Sequence, residues 1–242
     1  YQEIEMENNV AVHVEDLTMA YDSKPVLWDV DVNILDNQIT AIVGPNGAGK
    51  STLMKGILNI IKPISGDIAI FGKSYKKIYK EIAYIPQSGS VNWNFPTTVI
   101  DVVLMGRYVY AKAFKRYSKE DKETAISALR TVRMEEFCNR HISQLSGGQK
   151  QRVFLARAIA QNARLYFMDE PLQGVDAKTE AIIMDTIREF KKKGKTIVVV
   201  HHDLSTVDKY FEQVILINKQ LIAAGKVAEV FNKQNIKLAY GE

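Results

Sequence analysis

Leu145-Ser146-Gly147-Gly148-Gln149 takes its meaning from two other segments that flank it at a distance. Upstream stands Gly44-Pro45-Asn46-Gly47-Ala48-Gly49-Lys50-Ser51-Thr52, placed between the strand-like run 39–43 and a helical pattern over 51–60. Its glycines let successive backbone N–H groups point inward and cradle phosphate oxygens at a helix N-terminus. Lys50 brings positive charge toward the β- and γ-phosphates, and the Ser51 hydroxyl is a ligand for Mg²⁺. Downstream, the apolar run Leu165-Tyr166-Phe167-Met168 ends in Asp169 and Glu170. Carboxylates at the C-terminal end of a parallel strand lie where such sheets place ligands. Asp169 suits a magnesium ligand, direct or through water, and Glu170 a general base for an attacking water. Ser146 and its two glycines open a further helix, running from Gly148 to about Ala160. A hydroxyl beside exposed amides at a helix start is a second anion site.

In this order the three segments resemble the ATP-binding-cassette (ABC) ATPases that drive ABC transporters. The resemblance covers roughly residues 10–240 and implies ATP and Mg²⁺ as cofactors. It also implies a head-to-tail dimer with a second copy, so that Ser146, Gly147, Gly148 and Gln149 act in trans on nucleotide held by the partner's phosphate loop. Single residues match further family positions. Tyr21 corresponds to the aromatic that stacks on adenine. Gln87 matches the glutamine that touches Mg²⁺ and the water. Asp176 matches the loop that crosses the dimer interface, and His202, directly before Asp203, the histidine that reaches the γ-phosphate. His201 is then a bystander. Gln173 and Gly174 depart from the small Ser-Gly or Ser-Ala more usual there, without removing a catalytic group.

Composition narrows the alternatives. With 46% hydrophobic and 25% charged residues the 242-residue chain has the make-up of a globular protein. Its net charge of +4 is dispersed, which argues against a nucleic-acid partner. No apolar run approaches the ~20 residues that cross a bilayer, and no charged-then-apolar leader opens the chain. Membrane association is therefore expected to go through a partner. The single cysteine, Cys138, forms no internal disulfide and fits a reducing cytoplasm.

The expected fold is α/β. The resemblance implies a P-loop NTPase core, a mostly parallel sheet flanked by helices, with an N-terminal antiparallel β subdomain and an inserted all-helical subdomain. The alternating pattern over 10–43, with short connections, predicts antiparallel pairing. Near-continuous apolar runs at 82–85, 165–168, 197–200 and 214–217 predict strands buried on both faces. Between residues 87 and 144 the pattern is helical, over 99–107 and again from Ser118, where Asp121 completes a capping box. One ABC ATPase domain is thus expected over 1–242: 10–87 with 161–242 form the β subdomain and nucleotide-binding core, and 88–160 the helical subdomain carrying the LSGGQ segment.

Residues 88–97, with Trp93 and Phe95, and 101–108 resemble the ATPases of bacterial manganese, zinc and iron importers, most of all manganese importers. So does the segment 199–204. That resemblance implies a subunit at the cytoplasmic face of the membrane, bound to integral-membrane permease subunits and served indirectly by an extracellular metal-binding protein. Trp93, Phe95, Tyr108, Tyr110, Phe114 and Tyr117 are candidates for the permease contact. The chain offers no Cys/His cluster for a transition metal, so the transported ion is not expected to bind it. The rival reading is a non-transport ABC ATPase serving as an assembly or scaffold factor, of the iron–sulfur-assembly type. It keeps every catalytic motif.

Overall fold

The computed structural model describes residues 9–21, 24–91, 96–110 and 116–241, with only the backbone of Tyr21 and Ser88. The strands are β1 (Val10–Tyr21), β2 (Lys24–Leu35), β3 (Ile39–Val43), β4 (Ser65–Ile70), β5 (Ile82–Ile85), β6 (Leu165–Asp169), β7 (Thr196–Val200), β8 (Gln213–Asn218) and β9 (Gln220–Lys226). The helices are α1 (Lys50–Ile57), α2 (Tyr75–Ile78), α3 (Val99–Leu104), α4 (Lys119–Thr131), α5 (Gly147–Gln161), α6 (Ala177–Lys192), α7 (Val207–Tyr210), α8 (Val227–Val230) and α9 (Lys233–Tyr240). They fall into two compact units, one formed by residues up to 79 with 190 onward, the other by residues 80–189.

The first unit holds an antiparallel sheet in the order β2-β1-β4. Val12 faces Ile34 and Val14 faces Val32, and these side chains are buried because period-2 alternation turns them to one face. A register shift after Val14 accommodates Asp16 at φ 50°, a bulge that restores Leu17 to the buried side. β4 completes this sheet, Val12 pairing with Ile70. Sequence patterning did not predict it, since Ser65-Gly66-Asp67 supplies no apolar face.

A second sheet of this unit runs β7-β3-β8-β9. Its pairings correct one expectation. β3 is not a partner of the antiparallel pair β1–β2 but runs parallel to β7 and β8. All five of its residues are buried, and a strand covered on both faces belongs in a parallel sheet. β8 and β9 form an antiparallel hairpin through Lys219. The expected helix over 51–60 stops at Ile57, where the chain turns through Asn59 at φ 53°.

The second unit pairs β5 parallel to β6, Ile82 beside Leu165 and Ile85 beside Met168. Helices α3, α4 and α5 pack on one another, and α5 also packs on β5. Arg157 of α5 donates to the Tyr84 carbonyl at 2.7 Å, and Gln161 to that of Ile82 at 2.7 Å. Burial lowers the Arg157 guanidinium to about 10, so it stays charged at neutral pH, lying over the Phe154 ring. α3 is shorter than the sequence suggests. A tight 3₁₀ stretch follows over 105–110, where Gly106 is packed so closely that a β-carbon would collide with the Arg157 carbonyl. Arg107 and Tyr110 donate to the last carbonyls of α5, at Ala160 (2.9 Å) and Gln161 (2.7 Å).

The predicted capping box at α4 is present: Ser118 accepts from the Asp121 N–H at 3.1 Å, and Asp121 accepts from the Ser118 N–H at 3.0 Å. Arg107, through a side-chain hydrogen bond, and the Ser118 N–H hold the Asp121 carboxyl below its ordinary value. Ser118→Ala should therefore cost about 1 kcal/mol. By calorimetry that is a fall of roughly 2–4 °C in Tm for a chain of this size; Ser118→Thr, which keeps the hydroxyl that both accepts from and donates to Asp121, should show little of it.

Candidate functional site

In the first unit, β3 delivers the chain directly into the loop 44–49, and α1 starts at Lys50. Gly49 has φ 96° and Gly47 φ 79°, conformations that L side chains rarely adopt. At Gly44 the reason for glycine is different: a β-carbon would collide with the Ile217 carbonyl oxygen of β8. The loop is held from outside as well. The Ala48 N–H donates to the Pro45 carbonyl at 3.1 Å, and the Ala48 carbonyl accepts from the Lys219 N–H at 2.9 Å. Asn46 and Gly47 stay exposed at the crest. Lys50 is buried, its Nζ donating to the Gly44 and Pro45 carbonyls at 2.8 and 3.0 Å. Its ammonium is thus already drawn back over the loop it serves. Ser51 and Thr52 occupy the first turn of α1 behind it.

Two other predicted residues lie in this unit. Tyr21 ends β1, and its side chain lies outside the described residues. Beyond β7 the doubled histidine divides its labour: His201 is buried, its Nε2 2.8 Å from the Thr206 hydroxyl and its ring 5.0 Å from that of Phe211. His202 is exposed.

In the second unit, Asp169 is buried at the end of β6, and Glu170 follows at φ 48°. A left-handed non-glycine residue costs of order 1 kcal/mol; here it opens a turn closed by the Gln173 N–H on the Glu170 carbonyl at 3.2 Å. Gln87, just past β5, is brought to it by the parallel pairing of β5 with β6. Its Nε2 donates to Glu170 Oε2 at 2.9 Å and to Gln173 Oε1 at 2.7 Å. Sequence reading marked Gln173 only as a departure able to alter communication between sites, and nothing in its type signals a hydrogen bond to Gln87.

The Leu145–Gln149 segment opens α5 as a reciprocal capping box. Ser146 Oγ accepts from the Gln149 N–H at 3.3 Å, and Gln149 Oε1 from the Ser146 N–H at 2.9 Å. Next to it starts α6. Asp176 accepts from the Thr179 N–H at 2.8 Å and from its hydroxyl at 3.1 Å. The Thr179 N–H is the main reason its carboxyl is held below its ordinary value. A β-carbon on Gly148 would lie 3.1 Å from Thr179 Oγ1 and 3.4 Å from Asp176 Oδ2, so glycine allows the two helix starts to approach. Two predicted residues, Gly148 and Asp176, thus lie together. The capping role of Asp176 was missed, although an aspartate just before a helical run is its visible signal.

Each unit by itself carries donors of the kind a magnesium nucleotide takes: the first a glycine loop with the Lys50 ammonium and the Ser51 hydroxyl, the second the amide of Gln87 and the carboxylate of Asp169, oxygens that suit a hard cation. Among the described residues, the one acidic cluster with metal-ligand spacing is Asp16, Asp29 and Asp31, all exposed.

The family described as ABC transporter matches residues 27–173. This chain belongs to it. As an ABC ATPase it carries a nucleotide-binding α/β core with an antiparallel β-sheet, and it binds and hydrolyses ATP. It is 53% identical over 231 residues to the zinc transport system ATP-binding protein TroB of Treponema pallidum (strain Nichols), covering 96% of this chain and 87% of that protein. It is 52% identical to the manganese transport system ATP-binding protein MntB of Bacillus subtilis (strain 168), covering 95% and 92%. Among solved structures, the ATP-binding subunit of an ABC transporter superimposes with a TM-score of 0.80 at 26% identity, covering 95% of each chain. A dimeric post-hydrolysis ATP-binding cassette bound to ADP and Pi does so at 0.77 and 28%, covering 89% and 98%. None of the helices in the described residues of this ABC ATPase is long and apolar enough to cross a membrane.

Proposed function

We propose that this chain is the ATP-hydrolysing subunit of a divalent-metal importer, with manganese as the transported ion. The supporting observation is its identity, near one half over 95–96% of its length, to ATP-binding proteins named for zinc and manganese transport. That likeness disfavours the scaffold or iron–sulfur-assembly reading. The ion itself passes through separate permease subunits after capture by an extracellular binding protein, and the chain works at the cytoplasmic face of the membrane. Tyr108 and Tyr110, both exposed, are its described candidates for the permease contact, and Tyr117 is half-buried. Trp93, Phe95 and Phe114 lie outside the described residues.

In the proposed mechanism Tyr21 stacks on adenine, an interaction worth about 1–3 kcal/mol. Backbone N–H groups of the loop 44–49, other than Pro45, with Lys50 and Thr52 hold the phosphates. Ser51, Asp169 and Gln87 hold Mg²⁺, which when bound neutralises charge on the β- and γ-phosphate oxygens. Glu170 draws the proton from the attacking water. His202 reaches the γ-phosphate. Ser146, Gly147, Gly148, Gln149 and Asp176 serve nucleotide held by the second copy. Binding energy from closure moves the permease halves, and hydrolysis reopens the dimer.

Uptake of radioactive Mn²⁺, Zn²⁺ and Fe²⁺ by cells lacking this subunit tests the assignment. Mn²⁺ uptake should fall to the background of diffusion and other carriers and return on complementation. The TroB likeness makes zinc the competing outcome, read in the same assay. Undiminished uptake of all three would remove the transport role.

A further inference from the structure

We infer that Gln173 is a positioning residue for the catalytic magnesium, acting through the amide of Gln87; this rests on the reading of Gln87 and Glu170 given above. A glutamine amide is nearly symmetric in shape but opposite in chemistry at its two ends, so its surroundings choose which end faces which way. Here the Gln87 nitrogen has its two hydrogens and two acceptors. One is the Glu170 carboxylate at 2.9 Å, the other Gln173 Oε1 at 2.7 Å. With both hydrogens engaged, Oε1 is the polar atom Gln87 has left to offer, and a hard cation requires an oxygen. A flipped amide would set that oxygen against a carboxylate and offer the cation an N–H.

The Glu170 carboxylate, which can only accept, sets the choice, and Gln173 secures it by taking the second hydrogen. Gln173 closes a turn in which its own N–H donates to the Glu170 carbonyl at 3.2 Å, so its side chain is referenced to the backbone of the residue it helps to serve. Gly174, at φ 66°, carries the chain away with no heavy atom crowding it. Gln173 is exposed, and its replacement removes no core packing.

The test uses Mn²⁺ as a spectroscopic stand-in for Mg²⁺. Free Mn²⁺ is titrated by electron paramagnetic resonance against the full-length protein with a non-hydrolysable ATP analogue. Loss of one neutral hydrogen bond predicts that Gln173→Leu weakens Mn²⁺ binding about three- to tenfold, with the unfolding midpoint unchanged. In a Gln87→Ala background, itself weakened, Gln173→Leu should add nothing, because the clasp has no amide left to orient. No loss in the single variant, or an equal further loss in the Gln87→Ala background, would overturn the inference and leave the ATPase reading standing. Unchanged Mn²⁺ binding in Gln87→Ala alone would instead remove Gln87 as a metal ligand, and the inference with it.

Discussion

Glu170→Gln is expected to retain ATP while hydrolysing it about 10²–10⁴-fold more slowly, the usual worth of a positioned general base. In barrier terms that is roughly 3–5 kcal/mol. The variant is informative because it changes so little else. Glu170 is half-buried and accepts a 2.9 Å hydrogen bond from Gln87. A glutamine has the same length and can present its own carbonyl oxygen to that donor, so the clasp with Gln87 and Gln173 survives. The backbone at φ 48° is equally open to either side chain. What disappears is basicity. If reopening follows hydrolysis, the variant should also accumulate an ATP-bound dimer on gel filtration, where the parent protein cycles back to monomer. Phosphate release near the parent rate would take the base role away from Glu170. Normal binding with slow turnover but no dimer would leave the chemistry intact and break the proposed link between hydrolysis and reopening.

How legible these features were in the sequence depends on the range of the forces behind them. The 44–52 loop could be read because its constraints are local: positive φ at Gly47 and Gly49 and the turn into α1 are written in neighbouring residues. The capping box at Ser118 was legible likewise, closing over three positions; Ser146 was read as a helix start, but its reciprocal bond with Gln149 was not. β3 illustrates the limit. Its apolar pattern marked it as a strand, but its direction is fixed by β7 and β8, far along the chain. β4 carries almost no pattern of its own and becomes a strand because β1 has a free edge to pair with. The clasp on Gln87 was invisible for a related reason. Gln87 and Gln173 are brought within 2.7 Å only once β5 and β6 align, and neither residue type announces the contact. Local chemistry reads from local sequence; shared geometry needs the fold.

Ser146 offers the sharpest test of the two-copy site, because in one protomer its side chain already has a job. Its hydroxyl caps α5 by accepting from the Gln149 N–H, so Ser146→Ala confounds two losses: about 1 kcal/mol of helix capping and any contact with the partner's nucleotide. Ser146→Asp separates them. Aspartate caps a helix as well as serine does and complements the helix dipole, so the fold should lose almost nothing in Tm. Toward a phosphate, however, the new carboxylate is repulsive. ATP-driven dimerisation and ATP occlusion should both collapse in this variant, while ATP binding to the monomer persists. Lys50→Ala should fail in the complementary way, since it leaves Ser146 intact and strips the phosphate loop of the charge that Lys50 carries from its place on Gly44 and Pro45. Mixed together, the two variants form a pair in which one composite site joins the sound phosphate loop of one copy to the sound Ser146 of the other. The mixture should therefore trap ATP that neither variant traps alone. A mixture that protects no more than its components would mean that each copy completes its own reaction centre, and the capping box at Ser146 would then be only a helix start.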